Sequence, residues 1–158
     1  MKDDVQLRDV SKDDLPTFFE QQLDPEANYM AAFTAKDPTD REAFMVHWDK
    51  IMRDDSIPIR TILFEGQIAG YVSHHSWFGE PEVTYWIDKK QWGKGIATRA
   101  LQLFLAEQTV RPLYGRVVKD NVASRRVLEK CGFVLAGQDK GFAQARGQEV
   151  EELILVCR

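Results

Sequence analysis

Cysteine is nearly absent from this chain: Cys131 and Cys157 are its only two, and no C-x-x-C pair occurs in 158 residues. That argues against a disulfide framework or a thiolate zinc site, and both thiols read as free and mostly buried. Histidine is scarce too. His47 is remote from the neighbours His74 and His75, no pair has metal-ligand spacing, and no metal is expected. A run of about 18 apolar residues, the length a membrane helix needs, is also missing. Met1-Lys2-Asp3-Asp4 places charge where a signal peptide needs an apolar stretch. These absences lead us to expect a cytoplasmic protein with no membrane partner. Finally there is no excess of basic residues. The net charge is −4, which argues against a general nucleic-acid binder, because neutralising phosphates takes a clustered cationic face. An acidic surface suits a cationic amine.

What is present is enough for a core. With 44% apolar residues, and with no repeat, low-complexity tract or linker, the chain reads as one domain over 1–158. Val5 and Leu7 alternate as a first strand, and Ser11 with Asp14 signals a capped helix ahead of Leu15, Phe18 and Phe19. Thr39 and Glu42 repeat that signal before Phe44, Trp48, Ile51 and Met52, which share one helical face to an end near Asp54. Strands over 59–64, 68–73 and 82–88, with a turn at Glu65-Gly66-Gln67, form an antiparallel meander. A helix from Gly95, a strand over 113–118, a short helix from Asn121 to a Gly132 cap, and strands over 133–136 and 150–157 follow. The stretch 137–147 reads as a mobile hairpin loop. The order β-α-α-β-β-β-α-β-α-β-β describes an α+β domain with a mixed, mostly antiparallel sheet flanked by helices. A homodimer through a sheet edge or the late strands is compatible with this order.

The chemistry concentrates after Asp88. Trp92-Gly93-Lys94-Gly95-Ile96-Ala97-Thr98 joins a strand to a helix N-terminus, where backbone N–H groups lack helical partners and the dipole favours an anion. Gly93 and Gly95 let the main chain approach a ligand, and Lys94 and Thr98 add donors. A pyrophosphate fits such a concavity. The spacing is neither a P-loop, whose lysine follows the second glycine, nor a dinucleotide fingerprint. Further along, Asn121-Val122-Ala123-Ser124 opens the helix that runs through Leu128 and Lys130 to Gly132-Phe133. Read alone, Asn121 is an ordinary N-cap and Ser124 a first-turn residue.

Together the two segments resemble the GCN5-related N-acetyltransferases, whose signatures are Q/R-x-x-G-x-G/A and N-x-x-S-x-x-x-L-x-K-x-G-F. Trp92 in the sequence W-G-K-G-I-A-T is similar to the ribosomal-protein (RimJ/RimL-like) branch. The resemblance implies the acyl-CoA N-acyltransferase fold and acetyl-CoA as cosubstrate. It implies that amides from Gly93 to Thr98, including those of Lys94, Ile96 and Ala97, hold the pyrophosphate, with Asn121 and Ser124 on the cofactor helix. Backbone groups around Trp86 and Ile87 would then pair with the pantetheine arm. The acceptor would be a primary amine: a protein N-terminus, an amino acid or another small amine.

Acyl transfer from a thioester needs a neutral amine and a stabilised thiolate. The tyrosine that many family members place in the second motif as general acid is replaced by Leu128. Ser124 is left as a candidate donor to the thiolate and Glu82 as a candidate base, with His74 or His75, on opposite strand faces, as assistants. Phe18, Phe19, Phe33, Trp48, Trp77 and Phe78 are candidate linings of the acceptor side. The missing tyrosine also fits a catalytically weak CoA-binding regulator or scaffold.

Overall fold

The computed structural model describes residues 4–77 and 79–158. β1 (Val5–Asp9) leads through a 3-10 turn into α1 (Leu15–Gln21), α2 (Pro25–Ala31) and α3 (Arg41–Met52). The meander β2 (Ile59–Phe64), β3 (Gln67–Trp77) and β4 (Glu80–Ile87) follows, then α4 (Ile96–Glu107), β5 (Leu113–Val118) and α5 (Val122–Lys130). The hairpin of β6 (Val134–Ala143) and β7 (Gln148–Cys157) closes the chain. One seven-stranded sheet results, in the order β1-β2-β3-β4-β5-β7-β6, antiparallel everywhere except between β4 and β5. The expected mixed α+β class is what the chain adopts.

Two layers of helix bury the two faces. Ile96, Ala100, Leu101 and Phe104 form the apolar stripe of α4 and pack with Leu128 of α5 on Ile62, Val72, Val83, Leu113 and Leu155. On the opposite face Leu15, Phe18 and Trp48 pack over Tyr71 as a second cluster. Phe18 packs tilted and Tyr71 edge-on against Trp48 at centroid distances of 5.0 and 4.8 Å. These aromatics are therefore core, and Phe19 is as well, its ring edge-on to Phe44. They do not line an acceptor cleft. Phe33 is exposed, while Phe78 and the side chain of Trp77 lie outside the described residues.

Several boundaries differ from the expectation for local reasons. α2 was not foreseen: Asp24 caps it by accepting from the Ala27 amide, and Pro25 fits its first position. Thr39 does not cap α3, because its hydroxyl is spent on Asp37 at 2.6 Å, and Asp40 caps instead. The expected loop over 137–147 is largely strand. β6 continues to Ala143, paired residue by residue with β7, and the ion pairs Lys140–Glu149 and Arg116–Asp139 lie along it. Glycines and polar residues concealed a strand whose outward side chains are held by charge.

The entry to α1 is fixed by one buried carboxylate. Asp14 accepts two bonds from Arg8 at 2.7 and 2.8 Å, one from the Ser11 amide at 2.9 Å and one from Thr61 at 2.7 Å. Burial alone would raise its pKa. The Arg8 guanidinium and the hydrogen bonds outweigh burial and hold it at about 2. A depressed carboxylate contributes stability that is present above its unfolded pKa and lost as pH falls through the folded one. Asp14→Asn should therefore lower unfolding free energy at neutral pH by about 2 kcal/mol. The deficit relative to wild type should shrink between about pH 4 and pH 2, as read from urea denaturation across pH.

Candidate active site

The site lies where the sheet opens. β4 and β5 form a single register pair, Glu82↔Tyr114, and then part. β4 stays paired to β3 along its whole length, and the Asp88 amide donates to the Ala69 carbonyl at 2.8 Å. In an antiparallel ladder the bonding direction alternates residue by residue. The main chain of Trp86 thus turns toward β3, and that of Tyr85 and Ile87 turns toward the gap. Gly70 tightens this arrangement: a Cβ there would lie 1.8 Å from the Trp86 carbonyl oxygen. The main chain of Trp86, expected from the sequence to meet a pantetheine arm, is thus directed away from the gap. Its carbonyl is against β3 and its indole N–H donates to the Gln21 carbonyl at 3.3 Å. The main-chain groups that face the gap are those of Tyr85 and Ile87.

The turn at the mouth of the gap has the geometry the sequence suggested. Gly93 and Gly95 have φ of +78° and +76°, with nothing within 4 Å of where a Cβ would project. Gly95 is the N-cap of α4 and offers no side chain to the amides of Ile96, Ala97 and Thr98, and the Arg99 amide is the one that returns to the Gly95 carbonyl. Trp92 donates its indole N–H to the Ile87 carbonyl at 2.9 Å and so ties the turn to the end of β4. Lys94 lies over the Phe64 ring and bonds Gln91 at 2.8 Å. The Ile96 side chain is core, so its amide is the part available to a ligand. One turn into α4, Arg99 carries a buried Nε–H that has no protein partner among the described residues. Open space and unspent amides fit a diphosphate ester.

Asn121 caps α5 by accepting from the Ser124 amide at 3.2 Å and also reaches the Met30 carbonyl, linking α5 to α2. Ser124 lies in this first turn, and its hydroxyl is 2.6 Å from the Tyr85 hydroxyl. Tyr85 was not among the residues singled out from sequence. Alternation with Val83 and Ile87 across Val-Thr-Tyr-Trp-Ile would have placed it on the helix-covered face. Desolvation pushes its pKa up to about 12 despite the serine bond, so the phenol stays protonated. Leu128 is structural, since its methyls press on β5 where a Cβ at Gly115 would come within 2.9 Å.

Glu82 occupies the other face and is 7% exposed. It accepts from Arg116 Nε at 2.8 Å. Arg116 Nη1 also holds Glu152 at 2.8 Å and Asp139 at 3.1 Å. Arg116 was missed as well, although a lone charge inside Leu-Tyr-Gly-Arg-Val-Val was its signal. Burial raises the Glu82 pKa, and Arg116 opposes that. With Glu152 adding like charge, the group ends above its ordinary value. His75 is the direct cross-strand partner of Glu82. His74 points the other way, into the core against Phe104 at 5.9 Å, where burial lowers its pKa. Of the two histidines, His75 shares the Glu82 face.

An acetyltransferase (GNAT) domain model matches residues 4–134. No curated protein matches the chain by sequence. Among solved structures, an N-acetyltransferase from Staphylococcus aureus Mu50 superposes with a TM-score of 0.82 at 20% identity, over 97% of each chain. The microcin C7 self-immunity acetyltransferase MccE, in complex with acetyl-CoA and AMP, gives 0.80 at 18%, over 98% of this chain and 92% of that one. Mycobacterium smegmatis RimJ, in complex with CoA-disulfide, gives 0.77 at 22%, over 97% and 81%. At these identities the likeness to the structures is one of fold. With the family model spanning most of its length, this chain belongs to the GNAT acetyltransferase family, the acetyl-CoA-dependent N-acyltransferases.

Proposed function

We propose that this chain, as one domain acting in the cytoplasm, transfers the acetyl group of acetyl-CoA to a primary amine by direct attack in a ternary complex. The amine is a protein N-terminus, an amino acid or another small amine. The observation that carries the reading is the parting of β4 and β5 after Glu82. It leaves an opening with a phosphate cradle at its mouth and a buried carboxylate at its apex. RimJ, among the structural neighbours, holds a CoA derivative, and the Trp92-containing turn supports membership of the RimJ/RimL-like branch.

Each residue has a distinct task. Amides of the turn from Gly93 to Thr98 bind the diphosphate, with the α4 dipole favouring its charge. Main-chain groups of Tyr85 and Ile87 hold the extended arm as an added half-strand, and the Ile87 amide is placed to meet negative charge developing on the thioester oxygen. Glu82 takes the surplus proton from the amine nitrogen, directly or through water. Its raised pKa makes it a better base than an exposed carboxylate. Arg116 fixes the carboxylate in place through Nε. Ser124 faces the leaving sulfur from the helix.

Calorimetry with acetyl-CoA tests the cosubstrate site. Wild type should bind at micromolar affinity, and Gly93→Glu, which puts a carboxylate and a strained backbone into the cradle, should lose at least about tenfold while retaining its circular dichroism spectrum. Absence of binding to wild type would sink the acyltransferase reading. The base is tested by Glu82→Gln, which should reduce kcat about 10²- to 10⁴-fold. In wild type, kcat at saturating amine should fall as pH drops through the raised Glu82 carboxyl. An unchanged rate and pH profile in the variant would remove Glu82 from that role.

A further inference from the structure

Tyr85 is a nearly buried phenol that reaches α5, and nothing in the proposed reaction yet uses its hydroxyl. Its oxygen is 2.6 Å from Ser124 Oγ and 3.4 Å from the Ser124 carbonyl. Either hydroxyl can donate by geometry, but their acidities differ. A phenol is several pK units more acidic than an aliphatic alcohol, so the favoured arrangement has Tyr85 O–H donating and Ser124 Oγ accepting. A serine hydroxyl that accepts through a lone pair keeps its own hydrogen. That hydrogen is then free to turn toward the gap between β4 and β5. Hydrogen bonds in series polarise one another, so a Ser124 that accepts from a phenol is the stronger donor.

We propose that Tyr85 is a positioning residue that orients and polarises the Ser124 hydroxyl, so that Ser124 donates to the sulfur of the departing CoA. The inference rests on the acetyl-CoA reading of the site. In the step itself the amine nitrogen forms the C–N bond to the acyl carbon and the C–S bond breaks. Its electron pair stays on sulfur as a thiolate hydrogen-bonded by Ser124, and the surplus proton of the nitrogen leaves to Glu82 or water. No proton need leave Tyr85. The phenol's high pKa, set mainly by desolvation, keeps it a donor across the working pH range. The same desolvation makes an unassisted thiolate costly, so a fixed donor counts for more here than in water. Cys131 adds a smaller upward contribution to the desolvation at Tyr85, and burial pushes its own thiol up to about 11. The helix N-terminus of α5 supplies the remaining partial charge, favourable to an anion.

This arrangement explains how a chain with Leu128 in place of the helix tyrosine still couples a phenol to the donor at the sulfur. The strand delivers it, one turn of helix earlier, by way of Ser124.

Two measurements test the inference with the intact chain. The first is calorimetric binding of CoA and of desulfo-CoA from neutral to mildly alkaline pH. In wild type the affinity of CoA relative to desulfo-CoA should rise with pH, because the thiolate is preferred. In Tyr85→Phe, which keeps the ring and removes the hydroxyl, that rise should shrink about tenfold, and Ser124→Ala should behave alike. CoA that binds wild type and both variants with one common pH dependence would overturn the role of Tyr85 while leaving the cosubstrate site standing. CoA that fails to bind wild type would overturn both. The second is a double-substitution cycle on kcat. Each single variant should lose about 10- to 100-fold with acetyl-CoA KM unchanged, and the double variant should be no slower than Ser124→Ala. Multiplying losses, or a loss carried by KM, would mean that Tyr85 acts independently of Ser124.

Discussion

The parting of β4 from β5 after the Glu82–Tyr114 pair leaves two parallel strands with main-chain groups that have no partner in each other. Parallel neighbours normally exchange evenly spaced bonds along their length, and backbone polar groups that lose them must be satisfied in some other way. Here each strand is secured from its outer side. β4 is locked to β3 by an eight-pair register and by the close seating of Gly70 under the Trp86 carbonyl. β5 is locked to β7 through six pairs. The opening is thus a rigid wedge between two regular half-sheets, and it presents strand-like donors and acceptors to an extended ligand.

The remaining features of the site are arranged around that wedge. α4 starts at its mouth and brings three amides free of side-chain caps. α5 starts alongside and brings Ser124, which Asn121 holds in place through the helix cap. The apex lies at Glu82, where Arg116 gathers three carboxylates. A partly buried ion cluster of this kind gives little net stability, because desolvation offsets its attraction. Its effect on geometry is larger, since it fixes one carboxylate oxygen, while burial, with Glu152 adding like charge, leaves Glu82 more basic than an exposed acid despite Arg116.

Much of this was legible in the sequence. The glycine turn before an apolar-striped helix, the Asn121 cap with Ser124 in its first turn, and the meander turn at Glu65-Gly66 each rest on local chemistry that determines local structure. What stayed hidden depends on neighbours distant in the chain. The Tyr85–Ser124 contact spans 39 positions, and the Arg116–Glu152 contact spans 36. β6 escaped because Gly137-Gln138-Asp139-Lys140-Gly141 has loop composition, and it is strand only because β7 and Arg116 hold it. Phe18 and Trp48 are aromatic and could serve a ligand or a core. The packing of α1 and α3 on Tyr71 decides for the core.

The most direct test of the wedge as cosubstrate site is amide hydrogen exchange with and without acetyl-CoA. Protection should appear at Lys94 to Thr98 and at Tyr85 and Ile87, while Trp86, already turned toward β3, and the outer strand β6 stay unchanged. Protection confined to other segments, or none at the turn and at β4, would contradict the assignment of this opening to acetyl-CoA.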